Sequence, residues 1–270
     1  MAPHPFRLDG RTALITGGTQ GVGAAIAQAI AAAGASVVLH GLRDDAVAQA
    51  TLAACRDAGV RCELVTGDLA DDQPAATERL LSQIDALGCA VDLLVNNAGV
   101  FIDEPFLEMA PERFQRTLQI NVAAGFHLTQ ALARRWVESG TAGRVLFTGS
   151  INGFLAEPDH VAYDCSKGAV AAMVRSLCVA LAPHGIRVNS MAPGLVRTPL
   201  TNPAIDLPGF ADWMQLHTPA GQVPDASVCG PPAVFLLSDA AAHVHGQTLL
   251  VDGGMSVWQQ PDMPEHWPGK

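Results

Sequence analysis

Residues 12–23 read TALITGGTQGVG, an apolar run with β-strand character that passes directly into a glycine-rich turn and then into a helical segment. Glycine lets the backbone turn tightly and approach a pyrophosphate closely, and the N-terminus of the following helix presents free N–H groups to the phosphates. The spacing is T-G-x-x-x-G-x-G rather than the ordinary G-x-G-x-x-G fingerprint. We therefore predict that this turn binds a nucleotide, with a simple strand-to-helix turn as the alternative. The predicted contacts are Gly17, Thr19, Gln20, Gly21 and Val22.

Strand and helix patterns alternate along the chain, which is typical of a parallel sheet covered by helices on both faces. We predict a single-domain α/β fold of the Rossmann type, a doubly wound parallel sheet of about seven strands. The predicted strands are residues 12–16, 36–39, 62–66, 91–95, 144–148, 187–191 and 249–251. The predicted helices are residues 22–33, 46–58, 78–86, 111–138 (in one or two pieces) and 160–181.

The sequence divides into a predicted catalytic domain and a short tail. The domain spans residues 1–254, and within it residues 195–224 belong to a stretch rich in Pro and Thr. A long irregular segment in a compact domain is usually functional or mobile, so we expect a substrate lid there. Residues 255–270 contain three prolines and two of the four tryptophans, and we expect an extended arm.

Composition and charge exclude several classes of function. The 270 residues are 49% hydrophobic and 16% charged, which is enough apolar material for a large core, and the net charge of −10 argues against nucleic acid or an anionic membrane as partner. Residues 1–10 lack the apolar core of a signal peptide, and no apolar run approaches the roughly 20 residues of a membrane span. The six cysteines form no C-x-x-C pair or Cys/His cluster, so no metal site is expected. We expect a soluble, cytoplasmic protein.

Tyr163 and Lys167 lie four residues apart in a predicted helix, so their side chains should share one face. A phenol keeps its proton up to a pKa of about 10, and a fixed ammonium beside it is expected to lower that pKa. Such a tyrosine can exchange a proton near neutral pH, as general acid–base catalysis requires. Ser150 can hydrogen-bond the same reacting oxygen. Because Y-x-x-x-K also arises by chance in helices, the weight of this trio depends on the rest of the chain.

Further motifs follow the glycine turn in a fixed order. The letters NNAG occupy residues 96–99 after the fourth predicted strand, Asn121 lies in a helical stretch, Ser150 ends the fifth strand, and PG at 193–194 follows the sixth. Together with the tyrosine–lysine pair, these motifs resemble the classical short-chain dehydrogenase/reductase (SDR) family over about residues 8–254. The resemblance implies an oxidoreductase that transfers a hydride between NAD(P)(H) and a carbonyl or secondary alcohol.

The resemblance also implies roles for individual residues. Tyr163 would protonate the alkoxide in reduction and take the alcohol proton in oxidation, and Lys167 would lower the tyrosine pKa and bind the nicotinamide ribose. Ser150 would polarise the substrate oxygen, and Asn121 would hold a water in a proton relay through Lys167. For Asp68, a helix-capping or turn role is the alternative to adenine contact. The remaining cofactor contacts implied are Asp68, Leu69, Asn97, Ala98, Gly99, Tyr163, Lys167, Pro193, Gly194, Val196 and Thr198.

The choice between NAD and NADP depends on the end of the second strand. The acidic position that favours NAD in the family falls on Gly41, and Arg43 follows two residues later. Arginine binds phosphate well, so the sequence favours NADP weakly over NAD. Two features limit this preference: Arg43 is one residue later than the commonest NADP arginine, and Gln20 stands where many NADP enzymes of the family carry a basic residue. Arg43 as a solvated loop residue is the alternative.

Substrate specificity is expected in residues 151–159 and in the lid. Asn152, Phe154, Glu157 and His160 are candidate pocket residues, and the lid offers an apolar group, residues 210, 213 and 214. Arg197 is the only Lys or Arg between residues 193 and 225, which argues against a strongly anionic substrate. A sugar, polyol, hydroxy acid, 3-oxoacyl thioester or ring ketone fits the sequence.

Two other functions remain as alternatives. One is a catalytically silent nucleotide-sensing protein with the same fold, although such a protein is expected to lose Tyr163 or Lys167. The other is an epimerase or dehydratase of the extended branch of the family, which the glycine spacing and the modest length disfavour. The resemblance further implies a homotetramer or homodimer acting on a small molecule.

Overall fold

The computed structural model describes residues 4–258. Seven strands lie within this range, all parallel, in the order β3-β2-β1-β4-β5-β6-β7. Their bounds are β1 (Thr12–Ile15), β2 (Ser36–Gly41), β3 (Cys62–Thr66), β4 (Leu93–Asn96), β5 (Arg144–Thr148), β6 (Arg187–Pro193) and β7 (Thr248–Val251). The order reverses between β1 and β4, so the predicted doubly wound Rossmann-type sheet is confirmed, and the crevice at this reversal is where such folds bind ligands.

Helices cover both faces of the sheet and form a separate core on each. One core joins the sheet to α1, α2 and α9, and the other joins it to α3, α5 and α6. The helices of the described chain are α1 (Gly21–Ala32), α2 (Ala46–Arg56), α3 (Ala75–Ala86), α4 (Pro111–Leu118), α5 (Ala124–Ser139), α6 (Val161–Leu181), α7 (Asn202–Ile205), α8 (Phe210–His217) and α9 (Gly230–Leu237).

The prediction of an irregular lid is wrong, because the segment contains the two short helices α7 and α8. Helix α9 was not predicted at all. Proline explains two of these three helices: α7 and α9 carry it in their first turn, where its missing N–H costs nothing. Proline in these stretches therefore begins a helix, although it resembles a helix breaker in the sequence. Most of the predicted tail, residues 259–270, lies outside the described residues.

One helical segment, Val161–His184, is long and apolar enough to cross a membrane by length and composition alone. No such segment was expected, because the sequence has no unbroken apolar run of that length, whereas this helix contains a few charged residues within a high mean hydropathy. The inner side of α6 packs on the sheet through Val170 and Val174. We therefore interpret it as one of the helices that cover the sheet.

Candidate active site

An open cleft of about 730 Å³ lies at the carboxyl ends of the strands, at the reversal between β1 and β4. Every predicted catalytic or cofactor-binding residue lines this cleft except Asn121, which lines a small cavity directly behind it, whereas the candidate pocket residues Asn152, Phe154, Glu157 and His160 do not line it. The cleft is therefore where the glycine turn, the residues after β4 and the tyrosine–lysine pair meet. The predicted residues that line it are Gly17, Thr19, Gln20, Gly21, Val22, Arg43, Asp68, Leu69, Asn97, Ala98, Gly99, Ser150, Tyr163, Lys167, Pro193, Gly194, Val196 and Thr198.

The glycine turn has no room for side chains at its critical positions. Gly17 and Gly21 adopt the left-handed conformation, with φ of 59° and 54°. A Cβ on Gly23 would lie 2.1 Å from the carbonyl oxygen of Gly17. Helix α1 begins here without a side-chain cap, so its first N–H groups face the cleft as donors for an anion. This cradle fits the pyrophosphate of a dinucleotide.

Hydrogen bonds tie the glycine turn to the ends of β4 and β5. Thr16 Oγ1 accepts the backbone N–H groups of Asn97 and Ala98, both at 3.0 Å. The Asn97 amide donates to the carbonyl oxygens of Thr16 (3.1 Å) and Gly17 (3.0 Å). Thr148 Oγ1 then donates to Asn97 Oδ1 at 3.1 Å. The side-chain amide of Asn97 therefore holds the glycine turn in shape. This role is additional to the predicted cofactor contact.

Helix α6 places Tyr163 and Lys167 on one face, as predicted, with the lysine Nζ 5.4 Å from the centroid of the phenol ring. Lys167 is buried, and its ammonium donates to the carbonyl oxygen of Thr148 at 2.9 Å. Burial lowers the pKa of Lys167 to about 8. The lysine therefore remains largely protonated at pH 7 while being held in one orientation.

The expectation that Lys167 lowers the pKa of Tyr163 is not met in this structure. The pKa of Tyr163 is raised, because burial disfavours the phenolate. A hydrogen bond with Ser150 acts in the opposite direction, and the charges of Asp164 and Glu157 add to the increase. The phenol of the protein alone is therefore a proton donor over the neutral range.

Asn121 lies in a π-helical turn, Gln119–Ala123, that separates α4 from α5. Such turns are rare and occur frequently at functional sites. Its side chain bonds the N–H and C=O of Val100 (2.8 and 3.0 Å) and Ser166 Oγ (2.9 Å). The small cavity beside Asn121 and Lys167 has a volume of about 10 Å³, roughly that needed by one water. Asn96, whose buried Oδ1 lacks a partner among the described residues, also lines it.

The end of β2 shapes the side of the cleft where the sequence predicts the adenosine to bind. A Cβ on Gly41 would lie 2.6 Å from the Thr19 methyl group, so an acidic side chain has no space there unless Thr19 moves. His40, which the sequence analysis missed, bonds the carbonyl of Gly67 at 3.0 Å and accepts the N–H of Gly17 at 3.4 Å. Burial lowers the pKa of His40, so the imidazole is neutral. Arg43 lines the cleft with an exposed side chain.

Asp68 has two roles in the structure besides the predicted adenine contact. Its Oδ1 accepts the N–H of Ala70 at 2.8 Å, which is the turn role named as the alternative. Its Oδ2 lies 3.7 Å from a guanidinium nitrogen of Arg116 on α4. Arg116 also lines the cleft and was not predicted, because no motif of the sequence marks it.

The substrate side of the cleft is bordered by the residues after β4 and β5. Phe101, also missed, packs edge-on against both Tyr163 (5.2 Å between centroids) and His160 (4.6 Å). Asn152 is buried beside Ser150, whereas Phe154 is 56% exposed. In the lid, Met214 is buried and Trp213 stacks on His217. Of the apolar side chains of the predicted lid, Met214 therefore packs inward, whereas Trp213 is exposed.

Comparisons with known proteins agree with this geometry. A family model described as enoyl-(acyl carrier protein) reductase matches residues 17–256. L-rhamnose 1-dehydrogenase (NAD(P)(+)) of Sphingomonas sp. is 34% identical over 93% of this chain and 98% of its own. Glucose 1-dehydrogenase of Gluconobacter oxydans is 32% identical over 98% of both chains. The structure of a gluconate 5-dehydrogenase from Burkholderia cenocepacia, in complex with NADP and tartrate, has a TM-score of 0.87 at 34% identity, covering 94% and 98%.

The glycine cradle generates a test in which two similar substitutions have opposite outcomes. Gly23→Ala places a methyl group against the Gly17 carbonyl, so we expect dinucleotide affinity to fall at least tenfold. Gly168→Ala, in the interior of α6 with open space around it, should leave affinity unchanged and raise stability by up to about 1 kcal/mol. Calorimetric titration with NADP+ and thermal unfolding measure both. Equal affinity in the two variants would contradict the proposed cradle.

Proposed function

This chain belongs to the short-chain dehydrogenase/reductase family, and we propose that its cleft interconverts an uncharged sugar or ring alcohol and the corresponding carbonyl compound. The chain is an NAD(P)-dependent oxidoreductase acting on CH–OH or C=O groups, as its relatives are. The alternative of a catalytically silent protein is therefore wrong. One observation carries the proposal: Ser150, Tyr163 and Lys167 meet at one point of the cofactor cleft.

The cradle of the glycine turn and the open cleft fit NAD(P). We propose that Gly17 to Val22 hold the pyrophosphate, Asp68 and Leu69 the adenine, and Asn97 to Gly99 the central ribose region. Residues 193–198, which follow β6, would flank the nicotinamide. When bound, the cofactor supplies or accepts the hydride.

The protein's own residues handle the proton and the substrate oxygen. Tyr163 donates its Oη proton to the alkoxide in reduction, and its raised pKa keeps the phenol protonated before this step. Ser150 places its hydroxyl on the same substrate oxygen. Lys167, tethered at 2.9 Å to the Thr148 carbonyl, keeps its ammonium 5.4 Å from the centroid of the phenol ring, where it would bind the nicotinamide ribose. Asn121 and the cavity behind Lys167 offer one water's volume for proton return to solvent.

Charge argues for an uncharged substrate. The carboxylates of Glu157 and Asp164 act on the phenol of Tyr163 and oppose a second negative charge nearby. Arg197, the one Lys or Arg of the lid, forms an ion pair with Asp206 at 3.3 Å. L-rhamnose and glucose, in the names of two relatives, are neutral. A sugar acid is the second candidate, which the similarity to a gluconate 5-dehydrogenase favours.

The test is an absorbance assay of nicotinamide reduction with L-rhamnose, D-glucose, cyclopentanol and D-gluconate. We expect turnover of a neutral alcohol, with a rate of oxidation that rises with pH because the phenolate is the base and its pKa is raised. Tyr163→Phe should lower kcat by about 100- to 10 000-fold with unchanged cofactor affinity. Turnover of D-gluconate alone would contradict the substrate proposal, and full activity of Tyr163→Phe would contradict the mechanism.

We propose that NADP is preferred, because Arg43 lines the adenosine side of the cleft while the Thr19 methyl group excludes an acid from position 41. Arg43→Ala should weaken NADPH binding about tenfold and leave NADH binding unchanged, since a charge-assisted bond to the 2′-phosphate is lost. Arg79→Ala, an exposed arginine paired with Asp71, is the control. Equal loss for both cofactors would contradict the assignment.

The space between position 41 and Thr19 gives a second expectation for cofactor choice. Gly41→Asp alone should weaken both cofactors, because its Cβ meets Thr19 at 2.6 Å. Thr19→Ala together with Gly41→Asp should restore NADH binding, since the methyl group is removed and the new carboxylate can meet the ribose hydroxyls. Fluorescence titration with each cofactor measures the effect. NADH binding that is no better in the double variant than in Gly41→Asp would contradict this account.

We further propose a homotetramer in the cytoplasm. Helix α6 supports this assembly, because only 28% of its most apolar 18-residue stretch is buried within one chain. Val179 on α6 is 78% exposed, and Phe126 and Val137 on α5 are also exposed. A second copy would cover these side chains. Light scattering should give four times the 28.1 kDa chain mass; the mass of a single chain would contradict the proposal.

A further inference from the structure

The residue that follows the tyrosine is an acid, and both of its carboxylate oxygens bond the loop after β5. Asp164 Oδ1 accepts from the side-chain amide of Asn152 at 2.8 Å. Asp164 Oδ2 accepts the backbone N–H of Glu157 at 3.1 Å. The first turn of α6 is thereby joined to residues 151–157 at two points. Neither Asp164 nor Asn152 has a part in the hydride-transfer mechanism above.

The bonds of Asn152 fix the orientation of its amide. Its Nδ2 donates to two groups that can only accept, Asp164 Oδ1 at 2.8 Å and Glu157 Oε1 at 3.2 Å. An amide turned the other way would direct its oxygen at two carboxylates. The Oδ1 atom of Asn152 therefore faces Ser150, whose hydroxyl donates to it at 3.3 Å. Because Asn152 is buried, water cannot replace these partners freely.

Two hydrogen bonds with Asn152, one to its backbone and one to its side chain, consequently hold the Ser150 hydroxyl. The backbone N–H of Asn152 donates to Ser150 Oγ at 3.2 Å and occupies one of its two lone pairs. The bond from Ser150 Oγ to Asn152 Oδ1 is long, so it is weak and can be exchanged for a substrate oxygen. The oxygen atom stays in place while its proton remains free to turn toward the substrate.

We propose that Asp164 is a positioning residue, which orients the Asn152 amide and through it holds the hydroxyl of Ser150 ready for the substrate oxygen. The inference rests on the proposed function, because it assumes that Ser150 acts on the substrate. Under this proposal Ser150, Tyr163 and Lys167 depend on Asp164 and Asn152 to keep their geometry. It also explains why an acid stands directly beside the catalytic tyrosine despite its charge.

The charge of Asp164 has a second, measurable effect on its neighbour. Several groups face the phenol of Tyr163: the Asp164 and Glu157 carboxylates, the Lys167 ammonium, and His160 through the ring of Phe101. Asp164 raises the pKa of Tyr163, so removing its charge should lower that pKa. Tyr163 is the single tyrosine of the 270 residues, so the near-ultraviolet absorbance of tyrosinate reports on this group alone.

The experiment compares Asp164→Ala, Asp164→Asn and Asn152→Ala with the wild-type enzyme. Asp164→Ala and Asn152→Ala should lower kcat/KM for the best alcohol of the panel by about 10- to 100-fold, with cofactor affinity unchanged. In enzyme saturated with the oxidised cofactor, Tyr163 should ionise at a lower pH in both Asp164 variants than in the wild type. Their pH profile for oxidation should shift toward lower pH in parallel, because the phenolate forms earlier.

Glu78→Gln is the matched control, since Glu78 is also an acid in the first turn of a helix and lies in α3, which lines neither the cleft nor the cavity. It should change neither kcat/KM nor the tyrosine titration. Should Asp164→Ala fail to fold, Asp164→Asn decides, because it keeps the size of the side chain. Wild-type kcat/KM and an unshifted tyrosine titration in a folded Asp164 variant would overturn the inference.

Failure of the proposed function has a different signature. A wild-type enzyme that oxidises no alcohol of the panel would contradict that function, whereas the tyrosine titration would still decide whether Asp164 acts on Tyr163. If the tyrosine titration shifts in the Asp164 variants but kcat/KM is unchanged in Asn152→Ala, the positioning role through Asn152 is overturned.

Discussion

A continuous run of hydrogen bonds joins the glycine turn to the catalytic lysine, and the geometry of the site depends on it. The run passes from the turn to Asn97, from Asn97 to Thr148 Oγ1, and from the Thr148 carbonyl to Lys167. It crosses the ends of β1, β4 and β5 and reaches α6. The glycine turn and the ammonium beside Tyr163 are thus parts of one hydrogen-bonded unit, so a shift at one end is expected to displace the other.

Burial sets the protonation of this site as much as charge does. Lys167 loses solvent and its pKa falls, while Tyr163 loses solvent and its pKa rises. The two pKa values, which are similar in the free side chains, therefore move apart, and the lysine charge is retained near neutral pH by a narrower margin than an exposed lysine would have. The carboxylates of Asp164 in α6 and Glu157 in the loop after β5 add to the effect on the phenol. A dry pocket thus favours the neutral acid, which suits reduction.

The strands, the main helices and the residues that line the cleft could be predicted because their signals are local: apolar runs, a glycine turn and short motifs in order. Helices α7 and α9 could not, because proline in a first turn resembles proline in a loop. The pKa of Tyr163 and the roles of His40 and Arg116 depend on burial and on contacts between distant segments. No spacing in the sequence reports those quantities.

The Thr19 methyl group occupies the space that a side chain at position 41 would need, which constrains how this corner of the cleft can change. An acid that arises at position 41 before Thr19 is replaced meets a filled space, so the substitution is harmful when it comes first and acceptable when it comes second. The effect of a substitution at position 41 should therefore depend on the residue at position 19, because Thr19 must shift before a side chain fits there. Descendants of this protein should carry a smaller residue at position 19 wherever they carry an acid at 41.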